Sequence, residues 1–244
     1  MGYADRAEGL KPPSLRTSLG CTLLVLDTSV RFLMASRRGE ATMALTDDML
    51  RAWARATLRR AQCEVSSGGL EHVTPGKSFV VMSNHASFFD IPALYATFPG
   101  TLRMVGKAEL FKVPIWGPAM REAGHVAINR GDRATAIAQL ATAEALLKDG
   151  TCVWISPEGT RSKTGDLNPF KKGGSHTALH MGVPILPAYI SGTDEVMPPD
   201  SIKVSKGGRV HVEYGEALPV PAGGARDMPA FLATVEGAIR PLGA

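Results

Sequence analysis

The apolar positions of the first sixty or so residues recur at helical spacing, whereas from about residue 70 onward they gather into short runs separated by turn residues. Set on a helix, Leu15 to Arg38 puts Arg16, Gly20, Asp27, Arg31 and Arg38 on one narrow face, with Leu15, Leu19, Leu23, Leu26, Val30 and Leu33 beside it. Leu24, Val25 and Phe32 carry the apolar surface round the back, so the pattern predicts a broadly greasy helix with one polar seam. Asp27 precedes Arg31 by one helical turn, the order that favours an ion pair and eases an apolar setting. A second helix is expected over Leu45 to Gln62, with Thr46 as N-cap and Asp47 and Asp48 against the positive end of its dipole. Its Leu50, Trp53, Ala54, Thr57, Leu58 and Ala61 share a face flanked by Arg51 and Arg60. Arginines beside a tryptophan suit a helix lying in a membrane plane, because guanidinium heads reach phosphates while their stems stay in the acyl boundary. Residues 1–64 are therefore read as a monotopic membrane-association element. The same pattern also allows both helices simply to cover the core of the next domain.

Beyond it, Ser78 to Met82, Leu102 to Gly106, His125 to Ile128, Cys152 to Ile155, Ile185 to Ile190 and Val210 to Tyr214 read as strands. Ile91 to Thr97, Ala134 to Lys148 and Ser175 to Met181 read as helices between them, which predicts an α/β domain over residues 65–244. Pro219 to Gly224 is a turn, and Met228 to Ile239 a closing helix.

Composition narrows the picture. With 44% apolar and 20% charged residues in 244, the chain can bury a substantial core. A formal charge of +4 favours anionic partners but lacks the density of a nucleic-acid binder, so no nucleic acid is expected. Cys21, Cys63 and Cys152 are widely spaced and form no CxxC pair, which fits a reducing compartment. The apolar run Thr17 to Leu26 starts after Asp5, Glu8 and Lys11 and ends at Asp27, so neither a signal peptide nor a simple transmembrane anchor is expected.

Four segments carry chemistry. In Asn84-His85-Ala86-Ser87-Phe88-Phe89-Asp90 a histidine leaves the end of a strand, and Asp90 can fold back to hold one ring nitrogen so that the other accepts a proton. Ser87 has no Gly-x-Ser-x-Gly elbow around it, so direct attack by a substrate hydroxyl is simpler than a covalent acyl-serine. In Pro157-Glu158-Gly159-Thr160-Arg161-Ser162, Gly159 lets backbone approach a ligand and Arg161 can grip two phosphate oxygens. Glu158 is expected to accept from an acceptor hydroxyl or to position Arg161. Gly124 to Arg130 ends a strand on a second candidate phosphate ligand, Arg130, and Val183-Pro184-Ile185-Leu186-Pro187 reads as architecture.

In this order and spacing the segments resemble the glycerolipid acyltransferase family, most closely its bacterial 1-acyl-sn-glycerol-3-phosphate acyltransferases, over about residues 70 to 215. The family's histidine-four-residues-aspartate motif falls on His85 and Asp90, its Glu-Gly-Thr-Arg block on Glu158 to Arg161, its Phe-Ile-x-Arg segment on Ala127 to Arg130 and its Val-Pro-x-x-Pro block on Val183 to Pro187. Lys107-Ala108-Glu109-Leu110 is similar to its Lys-x-Glu-Leu connector, and Phe170-Lys171-Lys172-Gly173 to its Phe-Lys-x-Gly stretch. The resemblance implies a single domain with a mixed sheet flanked by helices, preceded by the two-helix element. It implies an O-acyltransferase of phospholipid biosynthesis, working without a bound cofactor or metal. His85 would act as base, held by Asp90, and Lys107 would stabilise the oxyanion. The lysophospholipid would be bound by Arg130, Glu158, Gly159, Thr160, Arg161 and Lys172. Acyl-CoA or acyl carrier protein would supply the acyl group, and the enzyme would sit on the cytoplasmic face of the inner membrane. Ala127 and Ser156 stand where the family has phenylalanine, which predicts an enlarged acceptor or acyl pocket. Two rivals compete: a metal-dependent phosphohydrolase using His85, Asp90 and Glu158, and a membrane scaffold without chemistry. The pair His176 and His180 lacks the glutamate of a HExxH site and is expected to be structural.

Overall fold

The computed structural model describes residues 10–129, 147, 150–164 and 166–243. Seven strands form one sheet in the order β1-β7-β6-β2-β5-β3-β4. They are β1 (Glu64–Gly68), β2 (Val80–Ser83), β3 (Thr101–Lys107), β4 (Val126–Ile128), β5 (Thr151–Ile155), β6 (Ile185–Ser191) and β7 (Arg209–Tyr214). All neighbours are parallel except β6 and β7, so the sheet is mixed. The central strands read as continuous apolar runs because both of their faces are covered. Val81 and Trp154 point into a core shared with Cys21, Ala54, Leu58 and Leu94 on one face. Val80, Met82, Val153 and Ile155 meet Ala178, Phe231, Val235 and Ile239 on the other.

The first face is covered by α1 (Leu15–Arg37), α2 (Met43–Arg60) and α3 (Asp90–Thr97), with α4 (Trp116–Glu122) packed against α1. The second is covered by α5 (Gly173–Met181) and α7 (Met228–Ile239); a one-turn helix α6 (Thr193–Val196) follows β6. The expected α/β architecture is present, and the expected helix Ala134 to Lys148 lies almost wholly outside the described residues.

Three local readings differ. Helix α2 is capped by Thr42, whose hydroxyl accepts from Leu45 N at 3.2 Å, not by Thr46. Thr46 lies a turn inside, its hydroxyl spent on Thr42 O at 2.8 Å. Strand β1 has no apolar signature, since Glu-Val-Ser-Ser-Gly has one large apolar residue; it is an edge strand paired in parallel from Glu64↔Arg209 to Gly68↔Glu213. The helix α1 runs unbroken through Asp27 and Arg31, which pair at 3.0 Å, so the whole element has the length and composition to cross a membrane. The charges that follow the ten-residue apolar run, Asp27 and Arg31, neutralise each other on the helix surface.

Candidate active site

His85 lies just past the end of β2, where the chain leaves the sheet. That departure is stitched by Asn84, whose side-chain amide donates to Ile190 O at 2.8 Å and accepts from Ile190 N at 2.7 Å, extending the β2–β6 ladder by a side chain. The turn then brings Asp90 back. Asp90 Oδ2 accepts from His85 Nδ1 at 2.7 Å and from Ala86 N and Ser87 N at 2.9 and 3.0 Å. Its other oxygen accepts a short hydrogen bond from the Thr193 hydroxyl at the start of α6. Asp90 is fully buried while His85 keeps 18% of its side chain exposed. A carboxylate so surrounded by donors is held as the acceptor, so the Nδ1 of His85 carries the proton and Nε2 presents a lone pair. Among the described residues nothing hydrogen-bonds to that Nε2. Trp154 of β5 braces the ring edge-on, centroids 5.4 Å apart, and is itself tied by Nε1 to Ser83 Oγ at 2.8 Å.

Glu158 is turned inward. Oε1 accepts from His85 N at 2.8 Å, and Oε2 accepts from Asn168 N and Asn168 Nδ2, both at 2.8 Å, with the residue 1% exposed. Burial pushes its carboxyl above the ordinary range, against the pull of those donors. Ser162 N closes the clasp by donating to His85 O at 2.7 Å, so the backbone of His85 is held from both sides by the 158–162 segment. Gly159 turns at φ +70°, a left-handed conformation that disfavours any side chain. Arg161 lies over the Phe88 ring, its Cζ 4.1 Å from the centroid, and its Nη1 has no partner among the described residues. Thr160 is exposed, as is Lys172 at the N-terminus of α5. Lys107, at the end of β3, is more than half exposed and pairs with Glu109 at 3.6 Å. Arg130 lies outside the described residues.

The geometry joins His85, Asp90, Glu158 and Arg161 into one cluster, gives Asn84 of the first motif a stitching role, and adds Thr193, Trp154 and Asn168 from outside the motifs. Ser87 is fully buried, donating to Met197 O at 2.7 Å and accepting from Phe89 N, so its hydroxyl is structural. The groups around Asp90 and Glu158 are the protein's own N–H and O–H donors, four on Asp90 and three on Glu158, so both carboxylates serve as hydrogen-bond acceptors within the fold. Beside Phe88, an apolar cavity of about 350 Å³ opens between α1, α2, α3 and α4, with Val25, Phe32, Leu50, Ile91 and Met120 in its wall. Neither Ala127 nor Ser156 lines it.

A sequence model described as Acyltransferase matches residues 64–191. A chloroplastic 1-acyl-sn-glycerol-3-phosphate acyltransferase of Brassica napus is 37% identical over 145 residues, 59% of this chain and 42% of that protein. A human 1-acyl-sn-glycerol-3-phosphate acyltransferase beta is 35% identical over 162 residues, 66% of this chain and 58% of that protein. The matched stretch thus spans about half the length of these curated relatives. In fold, the chain superposes on the crystal structure of the 1-acyl-sn-glycerophosphate acyltransferase PlsC from Thermotoga maritima with a TM-score of 0.76 at 24% identity, covering 93% of this chain and 94% of that one.

Proposed function

The chain belongs to the acyltransferase family, and from that premise we propose that it moves a fatty acyl group from a thioester to the free hydroxyl of 1-acyl-sn-glycerol-3-phosphate, giving phosphatidate. The observation that carries the reading is the dyad: a buried Asp90 fixes Nδ1–H of His85 and leaves Nε2 as a base open to substrate. As the acceptor oxygen bonds to the thioester carbon, Nε2 takes its proton. The carbon–sulfur bond then breaks, the thiolate leaves, and the proton passes from His85 to the sulfur. Asp90 stabilises the imidazolium between these steps and keeps the ring from rotating.

Arg161, whose guanidinium lies over Phe88 and whose buried Nη1 has no hydrogen-bond partner among the described residues, is proposed to hold the phosphate. Arg130 and the exposed Lys172 are proposed to assist it, with the Gly159 and Thr160 backbone at the edge of the same site. Lys107 is proposed as the oxyanion partner, and its weak pairing with Glu109 leaves the ammonium free to turn. Glu158 is assigned a positioning role, since all of its hydrogen bonds go to His85 and Asn168. The cavity beside Phe88 is proposed to take the donor acyl chain, and the exposed leucines of α1 to meet the lipid surface as a monotopic contact.

The deciding experiment incubates purified wild type and His85→Ala with acyl-CoA and acyl carrier protein donors and a panel of lysolipids, with products identified by mass spectrometry. Wild type should acylate lysophosphatidate, and His85→Ala should lose about a hundredfold or more in rate. Acylation that is indifferent to His85 would remove the reading.

A further inference from the structure

One polar group in the apolar cavity has no part in the transfer chemistry. His125 stands in the cavity wall with Tyr95, ring centroids 6.3 Å apart. Its Nδ1 accepts from Met104 N at 3.2 Å, and because a backbone N–H can only donate, the neutral ring must carry its proton on Nε2. Burial, aided by the Arg103 guanidinium, holds the imidazole down to about 3, so the ring remains neutral with Nε2–H as a fixed donor. Among the described residues no acceptor is bonded to that Nε2.

Three of the hydroxyls in the wall are spent as donors. The hydroxyls of Thr22, Ser29 and Thr46 bond to Ser18 O, Val25 O and Thr42 O of their own helices at 3.1, 2.8 and 2.8 Å. Trp53 Nε1, in the same wall, is buried and also lacks an acceptor among the described residues. The cavity therefore offers two N–H donors, His125 Nε2–H and Trp53 Nε1–H, that have no acceptor among the described residues. A plain hydrocarbon chain placed there would leave those donors unpaired, and a site built with an unmatched donor discriminates in favour of the ligand that satisfies it.

We infer that the cavity selects an acyl chain bearing an oxygen, a hydroxyl or keto group along its length, which accepts from His125 Nε2–H. This rests on the cavity holding the acyl chain of the donor, as proposed above, and adds what kind of chain it holds.

The test offers purified full-length protein two thioester donors of equal chain length in competition, one unsubstituted and one hydroxylated, with the hydroxyl moved along the chain in successive trials. Lysophosphatidate is the acceptor, and products are counted by mass spectrometry. At one hydroxyl position the substituted donor should win by about tenfold. His125→Leu should remove that preference, and His125→Phe, which keeps a ring against Tyr95, covers a failure of the leucine variant to fold. Wild type that favours the plain chain at every position, or a variant that retains the hydroxyl preference, overturns the inference. Calorimetry with the corresponding free fatty acids reads the same preference without turnover. A wild-type protein that binds the hydroxylated acid about tenfold better yet transfers neither acyl group would therefore defeat the transfer reading and leave this one standing.

Discussion

Asp90 shows how much of this site depends on one carboxylate. It receives hydrogen bonds from His85, Ala86, Ser87 and Thr193, and the last of these comes from 103 residues away. Thr193→Val keeps the shape of the side chain and removes its donor, leaving a lone pair unsatisfied in a fully buried place. The carboxylate is then free to rotate away from His85, and kcat should fall by about tenfold with KM little changed, while Thr193→Ser restores most of it. Equal kcat for the valine and serine variants in steady-state assays would show that Thr193 only fills space. The dyad itself was legible because His85 and Asp90 are local, joined through a single turn. Thr193 was not, since nothing in its neighbourhood says that β6 delivers it to the end of β2. Glu158 illustrates the opposite limit: its motif was read, but spacing along a loop does not say which way a side chain faces, and it faces His85 N and Asn168.

At the scale of elements, the fastening of α2 to the sheet is unexpectedly polar. Asp47, read as a complement to the helix dipole, instead meets Arg103 of β3 at 2.6 Å and accepts from Thr101 at 2.5 Å, with only 4% of the Arg103 side chain exposed. Removing one partner of a buried pair leaves an uncompensated charge, so Asp47→Ala should cost about 3 kcal/mol in denaturant unfolding. Replacing both, as Asp47→Leu with Arg103→Met, should cost clearly less. If the single and double variants unfold at the same denaturant concentration, the pair is not what docks the helix. The periodic elements α1, α2, α3, α5 and α7 were legible because their apolar residues recur at helical spacing, whichever face of the helix the fold then buries. Helix α4 was not: Pro118 and Gly117 lie within its seven residues, and its identity comes from packing on α1, whose Phe32 it covers with Ala119 and Ala123. The edge strand β1 likewise owes its existence to the partner β7 and not to its own side chains.

Across the whole molecule, one side of α1 is left without a partner among the described residues. Leu15, Leu19, Leu23, Val30 and Met34 are 85, 56, 54, 41 and 49% exposed, and together they form a stripe roughly 100° wide beside the seam of Arg16, Asp27 and Arg31. The opposite side of the same helix, through Val25, Ser29 and Phe32, forms a wall of the cavity that lies next to Phe88 and the dyad. A single helix thus has an outer face suited to hydrocarbon and an inner face against the proposed acyl site, which places the reaction within reach of a lipid surface. Carboxylates in the middle of the stripe should break that contact without disturbing the core, because Leu19 and Leu23 are more than half exposed. The double change Leu19→Asp, Leu23→Asp should weaken partition into anionic phospholipid vesicles by at least about tenfold, since each leucine side chain contributes about 1.5 kcal/mol when immersed. Turnover of a short-chain, water-soluble lysolipid should persist, as none of the dyad's contacts is touched. Undiminished vesicle binding by the double variant would mean that α1 covers the domain and nothing more, and the approach of lipid would have to be sought on another face.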